Sequence, residues 1–455
     1  MKFSRRQVLA GVAGLGVVGV GAGGARYWLG RPMDATTHDY ELIAAPVDLE
    51  LVAGRQTPAW AYNGEVPGTE LRVRQGDWLR VRFVNKLDQE TTIHWHGIRL
   101  PLEMDGVPYV SQAPVQPGEY FDYQFQLHDA GSFWYHPHTT SSEQLGRGLV
   151  GTLIVDEREP TGFLEERSLS LKTWHVDREG AFTAFSVPRE AARDGTRGRL
   201  TTVNGEPAPT IELPVGKVVR LRLFNLDNTV TYRLNLDDID ARIYAIDGNP
   251  ITPRAFGSDY WLGPGMRLDL GVCMLDEREV ALKNGPLRLA TLKGVRSGEQ
   301  AETSWPEAIP PNPISAPDLS KAEVIRFNFE WSATLASAND EGPAKYWQIN
   351  GEAWDINDKT CADRPIATLK LGRHYILELR NMAQYLHPIH LHGMTFKVIS
   401  SNKHKIEPYY TDTYLLGKNE TARVALVADN PGVWMFHCHV IDHMETGLMA
   451  AIAVV

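Results

Sequence analysis

The sequence predicts an all-β protein made of three consecutive β-sandwich domains. Two observations carry this: a threefold internal repeat, and an alternation of apolar and polar residues within each copy. Asn-Gly-Glu occurs at Asn63-Gly64-Glu65, Asn204-Gly205-Glu206 and Asn350-Gly351-Glu352, spacings of 141 and 146 residues. Each copy leads into an alternating strand that ends in asparagine, at residues 79–85, 219–225 and 376–381. Period-two alternation with Gly, Pro and Asn punctuation reads as antiparallel sandwiches. A repeat this long is a domain, not a solenoid unit. The length of 455 residues also points to about three domains.

Taken in order, residues 1–37 read as a leader. Ser4-Arg5-Arg6-Gln7-Val8-Leu9 precedes a Gly/Ala/Val-rich run over residues 10–25. Twin arginines before a mildly apolar stretch are the pattern of a twin-arginine export signal, so the expected partner is the twin-arginine machinery and the expected location the periplasm. Cleavage is expected near Ala25, with retention as a membrane anchor the second reading. The first domain spans 38–157 and ends at the charged turn Glu157-Arg158-Glu159-Pro160. The second spans 158–304. A proline-rich linker follows over 305–320, with Pro306, Pro310, Pro311, Pro313 and Pro317, and the third domain fills 321–455. A net charge of −10 argues against a nucleic-acid partner, which selects for a basic face.

The histidines are not spread evenly. His94-Trp95-His96-Gly97 follows the first repeat strand, and His387-Pro388-Ile389-His390-Leu391-His392-Gly393 follows the third. Later in the same two domains come Gly131-Ser132-Phe133-Trp134-Tyr135-His136-Pro137-His138 and Gly432-Val433-Trp434-Met435-Phe436-His437-Cys438-His439. The middle domain has Thr231-Tyr232-Arg233-Leu234-Asn235 at the matching place and no histidine pair. Chance abundance would not respect domain boundaries. In extended chain both members of a His-x-His pair face one way. Eight imidazoles in four pairs exceed the needs of one metal ion and suit a cluster between the first and third domains. Cys438 faces away from His437 and His439. His387, an odd number of residues before His390, also faces away, and His443 lies near. Two histidines and a cysteine suit copper; zinc is the competing reading. The other histidines, His38, His128, His175, His374 and His404, are expected in ordinary hydrogen-bonded or surface roles. Cys273 and Cys361 either pair as a disulfide or stay as two thiols.

These motifs resemble those of the multicopper oxidases (laccases, ascorbate oxidase and the bacterial copper-resistance oxidases) from about residue 40 to the end. Trp95-His96-Gly97-Ile98-Arg99-Leu100 and His443-Met444-Glu445-Thr446-Gly447-Leu448 look most like the bacterial CumA-type oxidases, a group linked to manganese(II) oxidation. The resemblance implies three cupredoxin-like Greek-key β-sandwich domains and four copper ions. His387, Cys438 and His443 would bind one type 1 copper, and His94 and His390 one type 2 copper. His96, His136, His138, His392, His437 and His439 would bind the two type 3 coppers. It implies one-electron oxidation of a donor coupled to reduction of O2 to water, with Cys438 as the electron wire.

Four positions refine the expectation. Leu448 stands where many relatives have an axial methionine. Loss of that ligand raises the type 1 potential; a bulge bringing in Met449 is the alternative. Asp105 matches a carboxylate that relays protons in copper-resistance oxidases, and a turn aspartate is the other reading. Met444 replaces a second relay carboxylate, leaving Glu445 one position on. Asp412 matches a family position expected near the type 1 pocket, where it either steers a cation or accepts a phenolic proton, or else serves as a structural hydrogen-bonding residue; Tyr409 and Tyr410 either line that pocket or simply pack in their strand. With only 10 methionines and no cluster of them, dedicated cuprous oxidation is disfavoured. The donor is read as a phenolic or aromatic compound, or a metal ion with manganese(II) leading; a copper-free envelope scaffold is the remaining alternative.

Overall fold

The structure is a computed structural model that describes residues 35–296, 303–332, 345–356 and 358–455. The twin-arginine segment lies outside the described residues. The strands sort into three successive pairs of sheets. The first pair has two four-stranded sheets. One runs, in spatial order, Arg55–Tyr62, Thr37–Val52, Trp78–Asn85, Tyr120–Gln126; the other Gly68–Arg74, Gly151–Asp156, Gly131–His136, His94–His96. The second and third pairs each combine a six-stranded and a five-stranded sheet. Each pair encloses a core of inward-facing apolar residues, as in other sandwiches. This is the cupredoxin architecture three times over.

The sandwiches are mixed, not purely antiparallel. Thr37–Val52 runs parallel to Trp78–Asn85, Glu165–Trp174 to Val218–Asn225, and Glu323–Trp331 to His374–Asn381. The second sheet of each domain also has one parallel pair. Alternation reports which face is buried and says nothing about the direction of the neighbouring strand, so the sequence could not separate the two.

The repeated asparagines do the same work three times. Asn63, Asn204 and Asn350 adopt φ of 55°, 52° and 53°, a left-handed conformation that asparagine tolerates better than most residues. Their side-chain oxygens accept from the backbone N–H of Ile43, Ser170 and Asn328, tying each turn to the first strand of its domain. The strand-ending Asn85, Asn225 and Asn381 each donate from Nδ2 to two loop carbonyls and accept one N–H two residues on. Each loop that follows is pinned this way. In the first and third domains that loop leads directly into a histidine pair.

Candidate metal centres

Strand pairing brings the histidines together. His94–His96 pairs antiparallel with Gly131–His136, setting His94 opposite His136. In the third domain His387–Leu391 pairs with Gly432–Cys438, setting His390 opposite His437 and Ile389 opposite Cys438. Cross-strand partners share a face, so His390 and His437 point one way and Cys438 the other. The two domains then meet with their imidazoles interleaved. His94 stacks on His392 and His96 on His390, each with ring centroids 3.8 Å apart.

All eight imidazoles are buried. In six of them the outer nitrogen is engaged: His94 Nδ1 with the Asp105 carbonyl, His136 Nδ1 with the Pro137 carbonyl, and His437 Nδ1 with the Cys438 carbonyl. His390 Nδ1 donates to the Asp412 carbonyl, His96 Nε2 to Asp412 Oδ1, and His392 Nδ1 to Asp105 Oδ2. These partners fix each tautomer and leave the inner nitrogen as a lone pair. The nitrogens aimed inward have no partner among the described residues: His94 Nε2, His96 Nδ1, His136 Nε2, His138 Nε2 and His390 Nε2; neither nitrogen of His439 has one either. His392 Nε2 and His437 Nε2 face each other at 3.1 Å. One buried unsatisfied polar group costs about 1–3 kcal/mol, so a convergent set of them belongs to a metal cage.

The electrostatics agree. Burial first, and the neighbouring imidazoles second, hold His96, His136, His138, His392, His437 and His439 well below the usual histidine range. They are neutral and ready to bind a metal ion. The cage's counter-charge comes from two carboxylates behind it. Asp105, buried, lies 2.9 Å from His392 Nδ1 and 3.2 Å from His94 Nδ1, so it spans the two domains. Asp412 is held by Arg267 of the middle domain through two hydrogen bonds of 2.9 and 2.7 Å. Burial alone would raise the Asp412 carboxyl, but the charge and hydrogen bonds of Arg267 keep it well below the usual carboxylate range. Gly97 explains the glycine of the His-Trp-His-Gly motif. It has φ of 86°, and a Cβ there would lie 2.3 Å from an Arg267 nitrogen and 2.6 Å from Asp412 Oδ2.

The second centre lies on the other face of the same strand. His387 Nδ1 and His443 Nδ1 are 3.1 Å apart, and Cys438 Sγ is 3.6 Å from each. His443 rides on the short helix Ile441–Glu445. Trp347 packs over both rings, with centroid distances of 4.3 Å to His443 and 5.0 Å to His387. Burial pushes the Cys438 thiol far up and His443 down to about 3. A metal ion that takes the thiolate must therefore displace a proton held firmly by the low-dielectric site. The donor set of one thiolate and two imidazoles fits copper.

The structure corrects some expectations and decides between others that were open. Asp412 does not border the three-ligand site; it backs the eight-imidazole cage through His96 and His390. It sits where the chain passes from Tyr409–Thr411 to Thr413–Leu416, and Thr413 pairs with His390. Tyr409 packs against the middle-domain core and the larger core beside it instead of lining a pocket at that site. Glu445, next to Met444, accepts from the Ser142 N–H through Oε1 and joins the helix Ser141–Arg147 to Ile441–Glu445. Met449 pairs with His437 across the sheet and packs with Met435, Ile441 and Met444, so no bulge brings its sulfur to Cys438. Leu448 shares the apolar cluster of Cys438 and Trp347. All three cysteines are unbridged. His38, His175, His374 and His404 bond Asp77, the Thr196 carbonyl, the Asp318 N–H and Glu420, away from the cage. Sequence reasoning missed Arg267 and Trp347. A lone arginine in an alternating strand and a lone tryptophan carry no signal of their own.

A cupredoxin fold with one Cys/His2 site wired to an eight-imidazole cage defines a copper oxidase. Comparison with known proteins agrees. Family models described as multicopper oxidase match residues 45–160 and 287–455. The solved multi-copper oxidase from Pseudomonas thermotolerans is 71% identical, with a TM-score of 0.88 over 92% of this chain and 100% of its own. Multicopper oxidase MmcO from Mycobacterium tuberculosis is 28% identical across 96% of this chain and 90% of its own. A multicopper oxidase from Campylobacter jejuni, described as a metallo-oxidase, is 25% identical, with a TM-score of 0.79 over 92% of this chain and 91% of its own. The chain belongs to the multicopper oxidase family and is an oxidoreductase that uses copper and dioxygen.

Proposed function

We propose that the enzyme oxidises a phenolic or aromatic donor one electron at a time at the three-ligand site, and reduces O2 to two waters in the cage. Four copper ions complete it. His387, Cys438 and His443 hold one (type 1), His94 and His390 a second (type 2), and His96, His136, His138, His392, His437 and His439 the remaining two (type 3). Bound copper supplies the redox chemistry, accepting single electrons at one centre and delivering four to dioxygen at the other. The observation that carries this reading is the strand end His437-Cys438-His439, whose residues serve both centres. Its backbone joins the two centres covalently. Four donors each lose one electron, and O2 gains four electrons and four protons.

The residues do the rest. Trp347 and the covering chain keep water from the thiolate. Asp105, hydrogen-bonded to His392 and beside His94, is placed to pass protons to the cage. Asp105→Asn should slow turnover by about tenfold or more and shift its pH profile while copper content stays full; an unmoved profile removes that role. A second reading, a metal-ion oxidase, is favoured by the metallo-oxidase from Campylobacter jejuni. Oxygen uptake measured in parallel with a phenol, Cu(I), Fe(II) and Mn(II) separates the two. Phenol turnover well above the metals supports the first, and the reverse order overturns it. Export by the twin-arginine route to the periplasm belongs to this reading as well; an Arg5→Lys/Arg6→Lys variant that still reached the periplasm would exclude it.

A further inference from the structure

The three-ligand site has no exposed ligand edge. His387 and His443 are both fully buried. What covers them comes from the middle domain. His443 Nε2 donates to the carbonyl of Arg193 at 2.7 Å. Trp347 Nε1, above the same rings, donates to the carbonyl of Ala191 at 2.8 Å. The segment is pinned along its length. The Thr196 N–H donates to Asp442 next to His443, Thr229 Oγ1 and His175 Nε2 reach the Thr196 carbonyl, and the Val187 N–H reaches Thr196 Oγ1. Gly195, at φ of 88°, presses so close that a Cβ would meet Thr229 and Val440 at 2.9 Å. This cover is built, and at Arg193 its carbonyl meets the ligand while the residue itself is exposed.

Its outer face is rich in arginine. Arg189, Arg193, Arg197 and Arg199 are exposed, with Glu190 and Asp194 between them. None of the four guanidinium groups makes an ion pair with a described residue; the exposed Arg55, Arg178 and Arg373 are likewise unpaired, but here four such groups lie in one short segment. A protein of net charge −10 thus places unpaired positive charge over the centre that takes electrons from outside. Such a field concentrates anions and repels free divalent cations.

We propose that residues 187–199 form the donor-docking surface and select small anionic electron donors, aromatic compounds bearing carboxylate or sulfonate groups, over bare metal cations. The donor sits against the arginines, gives one electron through the Arg193 carbonyl and His443, and leaves as its one-electron oxidised form. This rests on the reading of His387, Cys438 and His443 as the electron-accepting copper site.

The test pairs two one-electron donors, anionic hexacyanoferrate(II) and neutral ferrocenemethanol, in the copper-loaded enzyme. The ratio of their kcat/KM values should fall as salt rises, and should drop about tenfold in Arg193→Glu/Arg197→Glu. Calorimetry of redox-inert hexacyanocobaltate(III) with the copper-free protein should show binding weakened by a similar factor in that variant. A ratio within about twofold of wild type, or an unchanged hexacyanocobaltate(III) affinity, overturns the proposal. Failure of the underlying reading looks different: copper-loaded protein would lack the blue cysteinate absorption, while the calorimetric result would still decide whether the surface takes anions.

Discussion

The three-ligand site takes every donor from residues 387–443 of one domain, whereas the cage takes four imidazoles from residues 94–138 and four from residues 390–439. The first can form once the third domain has folded. The second exists only when the first and third domains close on each other, and its fasteners are interdomain contacts: Asp105 to His392, and Arg267 through Asp412 to His96. On the proposed function, preassembly suits the centre that would take electrons from outside donors, and assembly by closure suits the one that would admit only oxygen, protons and water. The two should therefore respond separately to substitution even though one strand serves both.

Cys438→Ser is the most severe break. It removes the thiolate and leaves His437 and His439 in place. Donor oxidation should fall by three or more orders of magnitude, about 4 kcal/mol of lost transition-state stabilisation. The blue absorption should vanish, and metal analysis should show one copper ion fewer per chain with the cage still filled. Loss of cage copper in parallel would mean that the two centres are not separable.

Asp412→Asn strikes the other side of the comparison. It leaves the fully buried Arg267 with only Asp247, 3.4 Å away, as a carboxylate partner, and removing one partner of a buried pair costs up to about 3–5 kcal/mol. Denaturant midpoints should fall, and the cage should lose copper while the blue absorption persists. Adding Arg267→Met removes the under-paired cation, and Asp247, already pushed up to about 7 by burial, can take a proton, so part of the stability should return. If the single and double variants are equally destabilised, the pair is not what closes the interface.

Acid distinguishes the centres from the folded protein's other groups. Burial holds nine of the ligand histidines below their ordinary range. In the copper-free protein the unfolded chain then binds more protons than the folded one as pH falls below about 6.5. Stability is fully present above that pH and is lost progressively below it. Each such histidine contributes up to about 1.4 kcal/mol per pH unit over that window. Urea denaturation from about pH 7.5 to about pH 5, a range that brackets the ordinary histidine value, should show a steep fall in the copper-free protein and a shallower one with copper bound. A flat profile would mean the imidazoles are not held neutral by burial.

Much of this was legible in the sequence because the ligands come in spaced pairs and the repeat marks the domain that lacks them. What stayed hidden depends on which faces the domains turn to each other. Residues 79–83 and 219–223 share one alternating pattern. Yet Arg80 and Arg82 are 50% and 54% exposed, whereas Arg220 and Arg222 are 1% exposed. The middle-domain strand Val218–Asn225 is buried at every position, its arginines paired with Asp269, Glu157 and Glu166 where the first domain packs on it. Alternation predicts two faces and not what each face meets. Arg267 escaped notice for that reason. The resemblance put Asp412 near the other centre, because a matched position along the chain does not say which side of a strand end a carboxylate reaches. The cover over His443 left no sequence signal because its contact to the ligand is a backbone carbonyl.

Leu448→Met is the gentlest change and touches only the three-ligand site. Leu448 is fully buried. Its carbonyl accepts from the Cys438 N–H at 3.0 Å, and its own N–H donates to the His443 carbonyl at 2.8 Å. Its backbone is thus bonded to two of the three ligand residues, and its side chain shares the apolar cluster of Cys438 and Trp347. Leucine to methionine conserves volume and should cost less than about 1.5 kcal/mol, so the fold and the cage should be undisturbed. The new thioether can donate weakly to an oxidised copper ion and so stabilise it against reduction. The potential of that centre should fall by about 60 mV or more, a tenfold shift in the one-electron equilibrium, while the cage signals stay as they were. An unchanged or higher potential would show that the leucine is not what sets it. The burial beneath Trp347 and the hydrogen bond from His443 to Arg193 would then be the groups to alter next.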